Sequence, residues 1–210
     1  MKEYKFVNGF FREEIEIKRS KFIASVCGGL DEDGCIEFIS KIKKEFPDAT
    51  HNCYAYVADE VGNVARFSDD SEPSGTAGQP MLDTLKKNGL FKTAVVVTRY
   101  FGGIKLGAAG LVGAYTQAVI SCLSKCDIFV AKVAAKYRAV CSYSDYAALE
   151  NSLARFGDID GVEYGDCVTF GFYCLAEYRA EFENAVSSKT AGRVKLEFVG
   201  NEYKPFKIER

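Results

Sequence analysis

Long apolar runs are missing from this 210-residue sequence. The longest purely apolar stretches, such as AVVV at 94–97, fall far short of the ~20 residues that a transmembrane helix needs. The amino terminus, MKEYKFVNGFFREE, carries glutamates where a secretory signal would need an uninterrupted apolar region. We therefore expect a cytoplasmic protein without a membrane partner.

The residue patterns of a zinc site and of a disulfide framework are also missing. None of the eight cysteines forms a Cys-x-x-Cys pair, and His51 is the only histidine. Cys122 and Cys126 lie four residues apart, on one face of a helix, but no second pair completes a zinc set. Most cysteines lie in apolar runs, where a thiol behaves as a small hydrophobe. We predict reduced structural thiols, no metal and no cofactor.

An overall basic surplus, which marks many nucleic-acid-binding proteins, is absent, because the formal net charge is −2. The charges are nevertheless unevenly distributed. Residues 84–126 hold six basic side chains and no acidic one, whereas residues 59–72 hold five acids against Arg66 alone. Two solvated surfaces that offset each other are the simplest explanation.

Hydrophobic periodicity and turn signals divide the chain into two halves. The first half predicts paired strands over 14–27, a helix over 31–46, a hairpin over 52–68, a helix from about 80 to 88, a buried strand over 94–101, and a Gly-rich turn that opens into a long helix within 102–123.

The second half begins near residue 135, and its residue pattern predicts a ferredoxin-like unit. Its strands are expected over 136–142, around 162–164, over 167–174 and over 193–200, and its helices from 145 and over 177–189. The order is β-α-β-β-α-β. We expect an α+β protein with one domain over 1–130 and a second over 135–210.

The densest polar cluster is RFSDDSEPSGTAGQP at 66–80. Closely spaced carboxylates, here Asp69, Asp70 and Glu72, can bind Mg²⁺ or Ca²⁺, but their spacing matches no calcium loop. A turn-rich loop whose Asp and Ser side chains bond their own backbone is the simpler explanation. Long polar loops on compact scaffolds often carry sites, so this segment is the best candidate for a functional loop.

A second cluster, TRYFGGIKLGAAG at 98–110, places glycines between a strand and a helix. Backbone N–H groups there can face an anion with help from the helix dipole, and Arg99 and Lys105 would add positive charge. The segment is neither a Walker loop nor a dinucleotide fingerprint. Glycines that let the helix pack tightly on the sheet explain the pattern equally well.

Other candidate functional residues carry weaker signals. His51 could act as a general base, but no nucleophile accompanies it, and a packed histidine is the simpler interpretation. Tyr54, Tyr56, Tyr100 and Phe101 could stack bases, although alternating aromatic residues also suit a core. We predict no catalytic residue.

Four motifs together resemble the IMPACT family, including its bacterial YigZ-type members. They are SKFIA at 20–24, ATHNCYAY at 49–56, RFSDDSEPSGTAGQPML at 66–82 and VVVTRYFGGIKLGAAGLVGAY at 95–115. The resemblance implies a first domain of the ribosomal-protein/elongation-factor type, a two-layer α/β unit with a left-handed crossover. It implies a second, ferredoxin-like domain similar to the carboxy-terminal domain of elongation factor G.

The resemblance also implies a role in translation. Eukaryotic relatives regulate translation initiation by interfering with activation of an amino-acid-starvation kinase, and they carry an additional amino-terminal interaction domain. We expect no such domain in this sequence, so that mechanism does not transfer directly. We predict a non-catalytic, translation-linked regulator that binds RNA or a ribosome-associated protein. The alternatives are an enzyme or sensor for a small phosphorylated ligand, and a protein–protein interaction module of stress signalling.

The candidate ligand- or RNA-binding residues come from the two clusters and match the family motifs. They are Arg66, Asp69, Asp70, Glu72, Ser74, Gly75, Thr76, Arg99, Tyr100, Gly102, Gly103 and Lys105. Ser71, Ala109 and Gly113 depart from the usual pattern, in which glycine, glycine and arginine are common at these places. Loss of that arginine removes a helix charge that could face a ligand.

Overall fold

The computed structural model describes residues 2–207, apart from the side chain of Asn151. These residues form two compact units, one comprising 2–131 with 206–207 and the other comprising 132–205. No helix within the described range combines the length and apolarity that crossing a membrane requires. The predicted α+β fold class is confirmed.

Within the described residues, the first unit contains six complete strands, three helices and the start of a seventh strand. Its elements are β1 (Tyr4–Val7), β2 (Phe10–Ile17), β3 (Ser20–Gly28), α1 (Glu32–Glu45), β4 (His51–Val57), β5 (Ala65–Ser68), α2 (Gly78–Lys87), β6 (Thr93–Tyr100), α3 (Ala108–Leu123) and the start of β7 (Ile128–Cys141).

The main sheet of the first unit has the order β2-β3-β6-β4-β5, and its neighbouring strands are antiparallel. Lys18 and Arg19 form the tight turn between β2 and β3, with left-handed φ angles of 47° and 64° that suit a two-residue hairpin. In the pairing of β4 with β6, His51 lies opposite Arg99. This register brings two distant motifs together at one end of the sheet.

Helices cover both faces of this sheet because successive strand residues point to opposite sides. Cys53, Ala55 and Val57 of β4 belong to the core beneath α2 and α3, whereas Tyr54 and Tyr56 pack with α1. The two-layer arrangement implied by the resemblance corresponds to the sheet with α2 and α3. Helix α1 adds a layer on the other face.

Local sequence explains where α1 begins and ends. The Asp31 carboxylate accepts a hydrogen bond from the Gly34 amide, which caps the helix, and Pro47 follows its end closely. Cys35, Phe38, Ile39 and Ile42 form its buried stripe at helical spacing.

The second unit has the strand order β10-β7-β9-β8, which is the ferredoxin-like arrangement predicted from the sequence. Its elements after β7 are α4 (Tyr143–Leu153), β8 (Gly157–Tyr164), β9 (Val168–Leu175), a 3₁₀ turn (Ala176–Tyr178), α5 (Arg179–Lys189) and β10 (Lys195–Lys207). The N-cap of α4 is Ser142, whose side chain accepts from the Asp145 amide, whereas the sequence pattern predicts Asp145 as the capping residue, three positions later.

An aromatic cluster fills the core of the second unit. Phe182 of α5 is fully buried and stacks on Phe172 with ring centroids 4.7 Å apart, while Phe156 meets it edge-on at 5.9 Å. Such pairs add to the free energy gained from burying apolar area.

Truncating this cluster should destabilise the protein strongly. We expect Phe182→Ala to lower the free energy of unfolding by about 3–5 kcal/mol, because a buried aromatic ring leaves a cavity when removed. Urea unfolding of the full chain measures the loss. Val199→Ala, at a position that is 56% exposed, is the control and should change stability little. A loss below about 1 kcal/mol for Phe182→Ala would show that the core relaxes into the gap.

Candidate functional site

The loop between β5 and α2 is organised by Asp69. Its carboxylate accepts hydrogen bonds from the backbone amides of Gly75, Ala77 and Gly78 at 2.8–3.0 Å. A side chain at position 78 would place its Cβ within 2.8 Å of the Ser68 carbonyl oxygen, so the close approach requires glycine. Asp69 therefore shapes the loop and the first turn of α2 through the backbone.

Asp70 joins the loop to the sheet and to α1. Its carboxylate accepts from Lys43 Nζ at 2.9 Å and from the Asn52 amide at 2.7 Å, and its carbonyl oxygen lies 2.8 Å from His51 Nδ1. Burial opposes ionisation of Asp70, but the Asn52 amide and the Lys43 ammonium outweigh it, so the pKa of Asp70 lies below its usual value. Asp70 and Ser71 both adopt left-handed φ angles, of 44° and 71°.

Glu72 turns into the protein and lies at the centre of a polar cluster. Arg99 Nη1 and the Tyr115 hydroxyl both donate to Glu72 Oε1, the latter at 2.8 Å, and His51 Nε2 lies 3.8 Å from the same oxygen. Glu72 is only 7% exposed and Arg99 5%, so this is a buried ion pair. It ties the loop to β6 and α3.

Two further groups are perturbed beside this pair. Burial and the adjoining Cys53 and Glu72 raise the pKa of Tyr115 far above its usual value, which keeps the hydroxyl protonated as a donor. Burial raises the pKa of the Cys53 thiol to about 12, although its hydrogen bond to Tyr115 opposes the rise. Neither group ionises near neutral pH.

Arg99 has unused hydrogen-bonding capacity. Its guanidinium lies over the rings of Phe22 and Phe101, with centroids 5.4 and 5.5 Å away, and Nη2 reaches the Ser20 hydroxyl at 3.5 Å. Its buried Nε has no hydrogen-bond partner within the described part of the chain. An unpaired buried donor of this kind is costly and suits a site that a ligand completes.

His51 is held in one orientation. A carbonyl oxygen only accepts, so the contact with the Asp70 carbonyl assigns the proton to Nδ1. Nε2 then carries the free lone pair when the ring is neutral and faces Glu72. The side chain is a backbone-anchored histidine at the edge of the cluster.

A recess of about 470 Å³, here called the cleft, opens beside this cluster. It is lined by Thr50, His51, Glu72, Pro73, Arg99, Phe101, Lys105, Leu106, Gly107, Ala108 and Leu111. The two polar motifs of the sequence, 66–80 and 98–110, therefore meet at one concave surface. The start of α3 forms one wall, and no side chain caps that helix.

Three of the twelve predicted ligand- or RNA-binding residues line the cleft, namely Glu72, Arg99 and Lys105. Four others make contacts that shape the backbone. These are Asp69 and Asp70 as described, Thr76, whose hydroxyl donates to the Pro73 carbonyl, and Gly102, whose amide donates to Ser20 Oγ and whose Cβ position lies 2.0 Å from the Arg19 carbonyl oxygen.

The remaining five residues lie outside the cleft lining. Ser74, Gly75 and Gly103 are exposed loop residues. Tyr100 donates from its hydroxyl to Asp48 at 3.0 Å. Arg66 lines a separate groove beside α1. Motif membership therefore does not by itself place a side chain in the cleft.

The three departures from the family pattern have different surroundings. Ser71 takes a left-handed conformation that favours glycine, so this position carries backbone strain. Ala109 is exposed in the first turn of α3, and a Cβ added at Gly113 would meet nothing within 4 Å. Space for a longer side chain is therefore present at position 113.

Sequence reasoning missed several cleft residues. The pattern favours a packed histidine at His51 and does not single out Thr50 or Leu111. It also does not single out Tyr115, which lies outside the cleft lining but donates to Glu72. The pairing of His51 with Arg99 depends on the register of β4 against β6, which links residues 48 positions apart. The only local signal was the polar ATHN segment that leads into a strand.

Comparison with known proteins identifies the family. The Impact N-terminal domain matches residues 18–123, and a domain of unknown function, DUF1949, matches residues 140–193. The chain belongs to the IMPACT family. IMPACT family member YvyE of Bacillus subtilis (strain 168) is 39% identical over 86% of this chain and 83% of its own length. YigZ of Escherichia coli (strain K12), also an IMPACT family member, is 34% identical over 86% and 90% respectively.

Solved structures extend the comparison. A crystal structure of a hypothetical protein, 32% identical, aligns over 93% of this IMPACT chain and 97% of its own with a TM-score of 0.61. The two-domain translational regulator Yih1 aligns over 55% of this chain and 47% of its own, with 20% identity and a TM-score of 0.37. That second likeness is too low to support a functional argument.

The buried ion pair predicts an asymmetric response to mutation. Glu72→Gln leaves the Arg99 charge buried without its partner and should lower the free energy of unfolding by about 3–5 kcal/mol. Tyr115→Phe removes one hydrogen bond to a charged group and should cost less, about 1.5–3 kcal/mol. Urea unfolding compares the two variants. Equal losses would mean that the charge of Glu72 contributes nothing beyond its hydrogen bonds.

The lowered pKa of Asp70 predicts a dependence of stability on pH. A carboxylate whose pKa is depressed by folding contributes stability above its unfolded value of 3.8, and this contribution is lost as the pH falls through the folded pKa. We expect Asp70→Asn to cost about 1 kcal/mol at pH 7 and progressively less below pH ~3.8. Melting temperatures across the pH range test this. Asp166→Asn, on an exposed turn, should show no such trend.

Proposed function

We propose that this IMPACT family member regulates translation by binding RNA in the cleft, where a phosphate group lies between Lys105, Arg99 and the start of α3. The observation that carries the proposal is the meeting of the two polar motifs at one concave surface. The lining has two cations, Arg99 and Lys105, against the single carboxylate of Glu72. The Glu72 charge is already balanced by Arg99.

Each part of the cleft has a role that suits phosphate. Lys105 is exposed and supplies a mobile charge, whereas Arg99 is buried and supplies a charge fixed by its contact with Glu72. The uncapped start of α3 adds backbone donors and the positive end of a helix dipole. Phe101, 46% exposed at the rim, offers a ring on which a base can stack.

The link to translation is supported by family membership. The eukaryotic members, as the sequence resemblance implies, regulate translation initiation, and both domain types resemble parts of ribosome-associated proteins. Fold likeness alone is a weak guide to function, because folds are shared among unrelated activities. The cleft therefore supports the proposal that the protein binds RNA, and family membership supports the proposal that it acts in translation.

A second candidate function, a sensor for a small phosphorylated ligand, is favoured by the dimensions of the cleft. Its volume of about 470 Å³ lies within the range of small-molecule sites. Leu106 and Leu111 give it an apolar wall that suits a ligand larger than phosphate alone.

The RNA proposal is tested by fluorescence anisotropy with a labelled single-stranded RNA at several salt concentrations. The logarithm of affinity should fall linearly with that of salt, by roughly 0.7 for each phosphate contacted. We expect Lys105→Glu to weaken binding about tenfold or more. Lys125→Glu is the matched control, since it lies in the same acid-free segment beyond the far end of α3.

The outcomes separate the candidates. RNA affinity that does not change with salt concentration would contradict RNA binding in the cleft. So would an equal loss of affinity in Lys125→Glu and Lys105→Glu. A rise in melting temperature with nucleotides or sugar phosphates, lost in Lys105→Ala and without an RNA effect, would favour the sensor.

A further inference from the structure

A second concave surface, here called the α1 groove, lies on the opposite face of the main sheet from the cleft. It encloses about 740 Å³ between α1 and the strands β4 and β5. Ile36, Ile39 and Pro47 contribute aliphatic surface, and Lys43, Lys44 and Arg66 contribute positive charge. Its lining includes no carboxylate.

Part of the apolar surface of the α1 groove is exposed to solvent and does not belong to the core. The buried stripe of α1 runs through Cys35, Ile39 and Ile42, whereas Ile36 lies outside it with 53% of its surface exposed. On β5, at the edge of the sheet, Phe67 is 42% exposed and also borders the groove. Apolar side chains grouped in a concavity with a polar rim are typical of an interaction site.

The charges on the rim are available to a partner. Lys43 is paired with Asp70, but within the described residues neither Lys44 nor Arg66 lies within ion-pair distance of a carboxylate. Arg66 Nη1 donates only to the neighbouring Ala65 carbonyl. Unpaired cations of this kind attract a partner that carries carboxylates.

The aromatic rings of the groove are less suited to nucleic acid. Tyr54 and Tyr56 stack on each other with centroids 6.4 Å apart, and Lys43 lies 5.6 Å from the centroid of Tyr54. Tyr56 is only 4% exposed. Tyr56 is buried and Lys43 lies over Tyr54, so these two rings offer less open surface to a base than the exposed ring of Phe101 does. Aliphatic contact combined with positive charge fits a peptide better.

We propose that the α1 groove docks an acidic amphipathic segment of a protein partner. Apolar side chains of that segment would cover Ile36 and its neighbours, and its carboxylates would pair with Lys44 and Arg66. This binding site is separate from the cleft and does not depend on RNA binding there.

The test is selection of random peptides displayed on phage against the full chain. Enriched peptides should combine Asp or Glu with Leu, Ile, Phe or Trp. Synthetic copies, measured by fluorescence anisotropy, should bind the double variant Lys44→Glu/Arg66→Glu about tenfold or more weakly, because two attractions become repulsions. Ile36→Ser should also weaken binding. These three positions are exposed or outside the core, so the variants should fold, and melting temperatures check this.

Matched controls locate the site. Lys41→Glu changes the same charge on an exposed part of α1 outside the groove lining, and Lys105→Glu does so in the cleft; both should leave peptide affinity within about twofold. The proposal is overturned if no peptide is enriched, if the enriched peptides lack acidic residues, or if the double variant binds them as well as the wild type. Single-stranded RNA that binds the wild type and Lys105→Glu, but not the double variant, would assign the groove to nucleic acid instead.

Discussion

The cleft of the first unit depends on the buried ion pair between Arg99 and Glu72. Arg99 comes from β6, Glu72 from the loop before α2, and the Tyr115 hydroxyl that shares Glu72 comes from α3. Two charges removed from water are tolerated only when each satisfies the other with good geometry. The loop must therefore close onto the end of the sheet, and this closure creates one side of the cleft. The same contact leaves the buried Arg99 Nε without a hydrogen-bond partner in the described part of the chain.

Much of the fold could be predicted from the sequence because its signals are local. Helical spacing located α1 and α3, and the alternation of strands and helices in the second half gave the ferredoxin-like order. The strand β1 was missed, since four residues carry too little periodicity, and β7 begins eight residues before the predicted strand at 136.

The functional site is harder to predict from the sequence than the fold. Arg66 follows the alternation of β5 to the α1 side, while Glu72 beyond the strand turns to the other side. Residues six positions apart in one motif thus reach different surfaces, Arg66 through the alternation of its strand and Glu72 through the course of the loop and its contacts with Arg99 and Tyr115.

The two proposed binding surfaces of the first unit differ in their chemistry. The cleft combines buried charge, an uncapped helix start and fixed backbone, features suited to an anion of small size. The α1 groove combines exposed aliphatic surface with cations at its rim, features suited to a peptide. A regulator of translation that binds both RNA and a protein would bring the two partners to opposite faces of one sheet. Neither occupant would need to displace the other.

Asp70 gives this arrangement a further property. Its side chain holds Lys43, which lines the α1 groove, and its carbonyl oxygen holds His51, which lines the cleft. Asp70 adopts a left-handed backbone conformation that few non-glycine residues take, so its backbone is strained and the surrounding contacts must hold it in place. A carboxylate that drew Lys43 away would loosen the residue that orients His51. Thermodynamic linkage is reciprocal, so any effect of a groove ligand on the cleft through Asp70 would be matched by an equal effect of a cleft ligand on the groove. If both surfaces bind as proposed, Asp70 would be the residue through which one binding event influences the other, although neither requires it.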